Sequence, residues 1–155
     1  MVTLASAPSS SLAEEQHVTR DLLQLLQQEQ GKLIEASIDG LPELIQAKAL
    51  AVTRLTTLTK ARHALLAAAG FAASESGMRD WIAAHLPADT AWTALLALGA
   101  EAREMNRING MLIGRHMMRN QTELNILQGK TQRNNLYGAD GQSTGPGRGR
   151  GLAVG

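Results

Sequence analysis

Apolar residues recur at helical spacing along most of the chain, and this pattern predicts four helices. The first helix runs to about Ala36, and Ser11 is its expected N-cap, with Glu14 as the reciprocal partner of a capping box. Asp39 and Gly40 predict the turn that follows. A second helix therefore begins just after Gly40.

The second helix has the most regular pattern, a seven-residue repeat typical of a coiled-coil seam. Its seam positions are Leu41, Leu44, Lys48, Ala51, Leu55, Leu58, Arg62, Leu65 and Ala69. Two of these positions, Lys48 and Arg62, are basic. Either both side chains extend along the seam with their charges in water, or each pairs with a carboxylate on a facing helix, such as Glu29 or Glu35.

The second half of the chain predicts a short helix and then a long one. The short helix contains Trp81 and ends at Pro87, and Asp89 caps the long helix. Two glycines, Gly110 and Gly114, interrupt the long pattern. At these glycines the helix either kinks or lets another backbone approach closely.

Composition supports the same fold class, because the chain has 24 Ala and 23 Leu but only 11 Val and Ile together. Ala and Leu favour helices, whereas strands are rich in β-branched and aromatic residues. We therefore expect an all-α protein, an elongated antiparallel helical bundle or coiled coil with long helices and one short helix. Residues 1–10 are expected to be frayed, 11–130 to form the helical domain, and 131–155 to be a disordered, glycine-rich tail.

The chain shows no signature of catalysis, of a cofactor site or of a metal site. It has no cysteine, and no two histidines are four residues apart, as a metal site on one helix would need. The histidines are His17, His63, His85 and His116. These features predict a protein that is not an enzyme and that binds neither metal nor cofactor.

Charge and hydropathy favour a cytoplasmic protein without nucleic-acid binding or membrane insertion. The net charge is +1, and the longest apolar run has ten residues, too few to span a bilayer. The run Gly147 to Gly151 alternates glycine and arginine like an RNA-binding segment, but two arginines contribute little affinity.

One apolar stripe lies on the long helix. It consists of Met105, Ile108, Leu112, Ile113, Met117, Leu124 and Leu127. Other apolar residues and four asparagines surround it, so that apolar side chains occupy more than one face. The pattern fits an adaptable methionine-rich surface for a guest helix, and it fits an ordinary core helix of a bundle equally well.

Three sequence blocks resemble the FlgN family of flagellar type III export chaperones. They are RINGMLI at 107–113, RNQTELNIL at 119–127 and LYGADGQ at 136–142. Their order and spacing are specific, and a weaker agreement extends over the first half of the chain.

The resemblance implies a cytoplasmic chaperone that binds the C-terminal segments of the hook–filament junction proteins FlgK and FlgL and delivers them to the export-gate protein FlhA. It implies that the apolar stripe binds these substrates, and that Leu136, Tyr137 and Gly138 dock on the gate. The alternative is a structural bundle that self-associates through the same stripe and has no guest.

Overall fold

The computed structural model describes residues 7–136, with side chains through residue 129, and every regular element in this part is helical. The all-α fold class is therefore confirmed. The helices are α1 (Leu12–Glu35), α2 (Leu41–Ala68), α3 (Glu75–Ala84) and α4 (Asp89–Leu136), with a 3₁₀ turn at Leu86–Ala88 before α4.

The chain divides into two compact units, Met1–Leu112 and Ile113–Gly155. The first unit contains α1, α2, α3 and the part of α4 that ends at Leu112, and the described part of the second unit is helical. Gly110 and Gly114 both lie within α4, so neither glycine ends the helix.

The helix ends follow the predicted turn residues only in part. Asp89 is the first residue of α4, with helical backbone angles, so the prediction that it caps this helix from outside is wrong. The short helix α3 ends at Ala84, before the 3₁₀ turn that contains Pro87.

Ser11 is the N-cap of α1, but its hydroxyl donates to the Glu15 carboxylate over 2.9 Å, and its side chain caps no backbone N–H. The expected capping box with Glu14 is therefore wrong. Gly40 precedes α2 with a φ of 75°, a left-handed conformation that costs glycine little.

The first unit has two apolar clusters, one of which joins α3 to the other helices. Trp81 and Trp92 are buried in this cluster, and Phe71 packs against it. Its buried members are Leu12, Leu66, Met78, Trp81, Ile82, Trp92 and Leu95.

The second cluster connects α1 with α4, and Ala51 and Leu55 of α2 pack against it. Leu22, Leu23 and Leu26 of α1 and Ala102 of α4 are its buried members. Ala102 is the only small residue among these buried members. Since this packing uses one face of α4, it fixes which α4 residues point away from the core of the first unit.

Candidate protein-binding site

The core of the first unit buries an ion pair between α1 and α2. Arg62 and Glu15 are only 3% and 1% exposed, and the Arg62 Nε lies 3.1 Å from the Glu15 Oε2. The guanidinium carbon also lies 4.9 Å from the centre of the Trp92 ring, within the range of a cation–π contact. A further ion pair joins the Arg62 Nη2 to the Glu75 Oε1 of α3 over 3.6 Å, so residues of α1, α3 and α4 hold Arg62.

A second buried polar network also joins α1 to α2, at another position along these two helices. The Lys48 ammonium donates to both carboxylate oxygens of Glu29, at 3.0 and 3.2 Å. From α4, the Asn109 amide donates to the same carboxylate, at Glu29 Oε1 over 2.8 Å, and to the Leu26 carbonyl over 2.9 Å. This network joins all three long helices within the first unit.

These contacts decide between the two interpretations of the seam cations. Both cations pair with carboxylates of α1, so the prediction that their charges extend into water is wrong. Lys48 pairs with the expected Glu29, whereas Arg62 pairs with Glu15 and not with Glu29 or Glu35. An unpaired guanidinium in this core would be strongly destabilising, which explains why a carboxylate faces it.

The apolar stripe divides between the two units. In the first unit, Met105, Ile108 and Leu112 are half-buried, and Met105 packs against the cluster formed by Leu22, Leu23, Leu26 and Ala102. These three positions therefore contribute to folding as well as offering surface. Whether they bind a substrate stays a prediction.

In the second unit, the remaining stripe residues are exposed. Met117 and Leu124 are 66% and 51% exposed, and Ile113 and Leu127 also belong to the exposed large apolar residues. Met118 and Ile126, which lie beside the stripe, are exposed as well. A contiguous set of exposed large apolar side chains is typical of a surface that binds another protein.

The exposed residues follow the spacing of a coiled-coil seam. Ile113, Met117, Leu124 and Leu127 are separated by steps of four and three residues when Asn120 is counted between them. Asn120 is exposed and lies at the centre of this seam. A single asparagine in such a seam favours one register and one partner number at some cost in affinity.

One exposed ion pair lies on the part of α4 that belongs to the first unit. Arg107 donates to the Glu104 carboxylate over 2.7 and 3.0 Å. This hydrogen bond, together with the positive charge of Arg107, lowers the pKa of Glu104 below its usual value. The same contact raises the pKa of Arg107.

Within the part of the chain that the structure describes, no three His, Cys, Asp or Glu residues are grouped as metal ligands. Over the same part, no helix combines the length and apolarity that crossing a bilayer requires.

Leu136 is the last residue of α4. Tyr137 and Gly138, the other two residues predicted to dock on the export gate, lie outside the described residues, as does the glycine–arginine run. The gate-docking role therefore stays a prediction.

Sequence reasoning missed two residues that organise the first unit, Glu15 and Asn109. The pattern did contain a signal for Glu15, which precedes Val18 and Leu22 by three and seven residues and so shares their face of α1. Asn109 also lies at helical spacing from Ala102 and Met105, on the same face of α4, but the pattern gives no sign that an asparagine there is buried.

Comparison with known proteins identifies the family to which this chain is similar. A model of the FlgN protein family matches residues 1–145. A flagella synthesis protein FlgN of Proteus mirabilis is 33% identical over 121 residues, which are 77% of this chain and 77% of that protein. No solved structure gives a significant match. The chain belongs to the FlgN family, and its role is therefore in the synthesis of the flagellum.

Proposed function

We propose that the protein is a cytoplasmic export chaperone, without enzymatic activity, that binds the C-terminal segments of FlgK and FlgL and delivers them to FlhA. The observation that carries this proposal is the exposed part of the apolar stripe, Ile113, Met117, Leu124 and Leu127. Membership of a flagellar family supports the identity of the partners.

The physical basis is the burial of these side chains against an amphipathic guest helix. Each large apolar side chain that is fully buried contributes about 1.5–3 kcal/mol. The cost of ordering a disordered guest offsets a large share of this gain. The resulting affinity is moderate, which suits a chaperone that must hold its substrate and then release it.

The exposed methionines support a surface that accommodates more than one substrate. Met117 is in the seam and Met118 lies next to it, and both side chains are largely exposed. Because methionine is unbranched and flexible, it fits differently shaped apolar partners. FlgK and FlgL segments could therefore use the same seam without matching in every side chain.

The test is binding of the full chain to a peptide with the C-terminal sequence of FlgK, measured by calorimetry. Met117→Asp with Leu124→Asp places two charges in the seam and should weaken binding about 100-fold or more. Thr122→Asp with Asn125→Asp adds the same charge at seam-averted positions of the helix and should leave affinity within about threefold. Equal affinity of the two double variants would refute the proposed site.

The structural alternative predicts self-association through the same seam. Light scattering on the free chain would then show a stable oligomer that Met117→Asp with Leu124→Asp dissociates. A monomer that forms a 1:1 complex with the FlgK peptide would exclude that alternative.

A further inference from the structure

The methionines of the chain differ in how far solvent reaches their side chains. Within the part of the chain that the structure describes, Met117 and Met118 are the most exposed methionines, at 66% and 72%. Met78 is completely buried in the cluster that contains the two tryptophans. Met105 is half-buried and packs against the second cluster. A small oxidant in solution therefore reaches Met117 and Met118 most readily.

Met111 is also exposed, but its sulfur is already engaged. The Arg107 Nη1 donates to the Met111 Sδ over 3.0 Å. Oxidation of a thioether begins when a lone pair of the sulfur attacks the oxidant, and a lone pair that accepts a hydrogen bond is less available for this attack. Met111 should therefore react more slowly than Met117 and Met118.

Met117 and Met118 are adjacent in sequence but point in different directions. Met117 belongs to the exposed seam, together with Ile113, Leu124 and Leu127. Met118 lies about 100° further around the helix, outside the line of the seam. A guest helix on the seam would bury Met117 and leave Met118 accessible to solvent.

We propose that Met117 is a redox-sensitive modification site, at which hydrogen peroxide converts the thioether to a sulfoxide and so weakens substrate binding. The proposal rests on the proposed function, because it assigns a form of regulation to the same seam.

The modification is a transfer of one oxygen atom. The sulfur lone pair of Met117 attacks one oxygen of the peroxide, so that an S–O bond forms and the O–O bond breaks. The sulfur loses two electrons, which reduce the peroxide. The hydroxide that leaves takes the proton from the transferred oxygen, and the products are the sulfoxide and water. Methionine sulfoxide reductases restore the thioether, so the modification is reversible.

The sulfoxide is a poor side chain to bury in this seam. It is polar and accepts hydrogen bonds, whereas the thioether is apolar and flexible. Ile113 and Leu124 offer it no hydrogen bond, and Asn120 can replace only part of the water around it. Because burial against a guest leaves a polar group incompletely hydrogen-bonded, we expect affinity for the guest to fall about tenfold.

The test measures binding of the FlgK C-terminal peptide to the full chain before and after oxidation of the chain. The chain is treated with hydrogen peroxide, catalase removes the peroxide, and the peptide is then added in the calorimeter. Mass spectrometry of proteolytic fragments should find the sulfoxide first at Met117 and Met118, later at Met111 and last at Met78. Affinity should fall about tenfold as Met117 is oxidised.

Met117→Leu separates the seam sulfur from every other methionine. The substitution keeps an apolar side chain of similar volume in the seam, so affinity should stay within about threefold of the unmodified chain. Peroxide should no longer weaken binding. The matched control is Met118→Leu, which removes an equally exposed sulfur outside the seam and should leave the tenfold loss unchanged. Treatment of the oxidised chain with the reductases should restore its affinity.

The possible outcomes distinguish this proposal from the proposed function. Failure of the untreated chain to bind the peptide would refute the proposed function, and this proposal with it. If the untreated chain binds and complete oxidation of Met117 leaves the affinity unchanged, this proposal alone is overturned. It is also overturned if Met118→Leu, but not Met117→Leu, abolishes the sensitivity to peroxide, or if circular dichroism shows that oxidation weakens binding by unfolding the helices.

Discussion

The first unit and the described part of the second unit place their polar and apolar side chains in opposite ways. In the first unit, Glu15, Glu29 and Arg62 are buried in the core and paired. In the second, Met117 and Leu124 are exposed. The difference lies within one long helix, α4. Before Leu112, Ala102 is buried and Met105 packs against the same cluster, whereas the large apolar residues described beyond Leu112 are exposed.

Buried ion pairs restrict how the helices of the first unit can pack. Replacing such a pair with apolar residues is often neutral for stability, but removing one partner is costly. Glu15 with Arg62 and Glu29 with Lys48 are 47 and 19 residues apart in sequence. We infer that together they fix the register of α1 against α2, which a seam of leucine and alanine alone would specify weakly.

The largest expected effect comes from Arg62→Ala, which leaves the Glu15 carboxylate buried without its partner. We expect a loss of about 3–5 kcal/mol in the free energy of unfolding, and a fall in melting temperature on the order of 10 °C. Thermal and urea unfolding followed by circular dichroism measure both.

The matched control is Arg54→Ala, which removes an exposed ion pair with Glu14. Its cost should be below about 1 kcal/mol. If the two variants were equally stable, the buried pair would not organise the first unit as described.

A smaller loss is expected when Asn109 is truncated. Asn109→Ala removes two donated hydrogen bonds and leaves the Leu26 carbonyl without this donor. The expected cost is about 1–3 kcal/mol. Asn106→Ala, three residues earlier and exposed, should change the stability by less than about 0.5 kcal/mol. Similar costs for the two variants would show that Asn109 does not tie α4 to α1.

These two predictions concern the features that sequence patterns could not supply. Helical periodicity predicted the elements, the turn at Gly40 and the cations in the seam of α2, because each depends on local sequence. It did not predict that Arg62 pairs with Glu15, because the partner depends on the register between two helices. Whether Lys48 and Arg62 extend their charges into water or pair with carboxylates depends on how α1 packs against α2, which the sequence pattern does not show.

The same reason explains why the sequence did not predict which residues of the apolar stripe are packed against the core and which are exposed. Met105 and Met117 have the same residue type and lie on one helix, yet the first packs against a core cluster and the second is exposed. The 3.6-residue period defines which residues share a face, but not how far along the helix that face is covered. The predicted substrate-binding role of the stripe still awaits a binding experiment.

Asn120→Leu, a substitution in the exposed seam, should change peptide affinity without changing the stability of the first unit. The substitution completes an apolar seam and removes the polar group that would be buried against a guest helix. We expect affinity for the FlgK peptide to rise about three- to tenfold. The stability of the first unit should not change. Weaker binding in calorimetry would place Asn120 in direct hydrogen bonding with the substrate.

The smallest effect is expected at the exposed pair of Glu104 and Arg107. Because this contact lowers the folded-state pKa of Glu104, its contribution to stability is present above the unfolded-state pKa and is lost as the pH falls through the folded-state value. A carboxyl titration followed by NMR should find the Glu104 pKa below that of an ordinary glutamate. Arg107→Gln should return it to the ordinary range, and an unchanged value would contradict the assigned cause.

The most direct test of the division between the two regions is hydrogen exchange of the full chain, measured by mass spectrometry with and without the FlgK peptide. The account predicts that peptide binding slows exchange in residues 113–127 and leaves α1 and α2 unchanged. Slower exchange in Leu12–Glu35 or Leu41–Ala68, with none at 113–127, would contradict it.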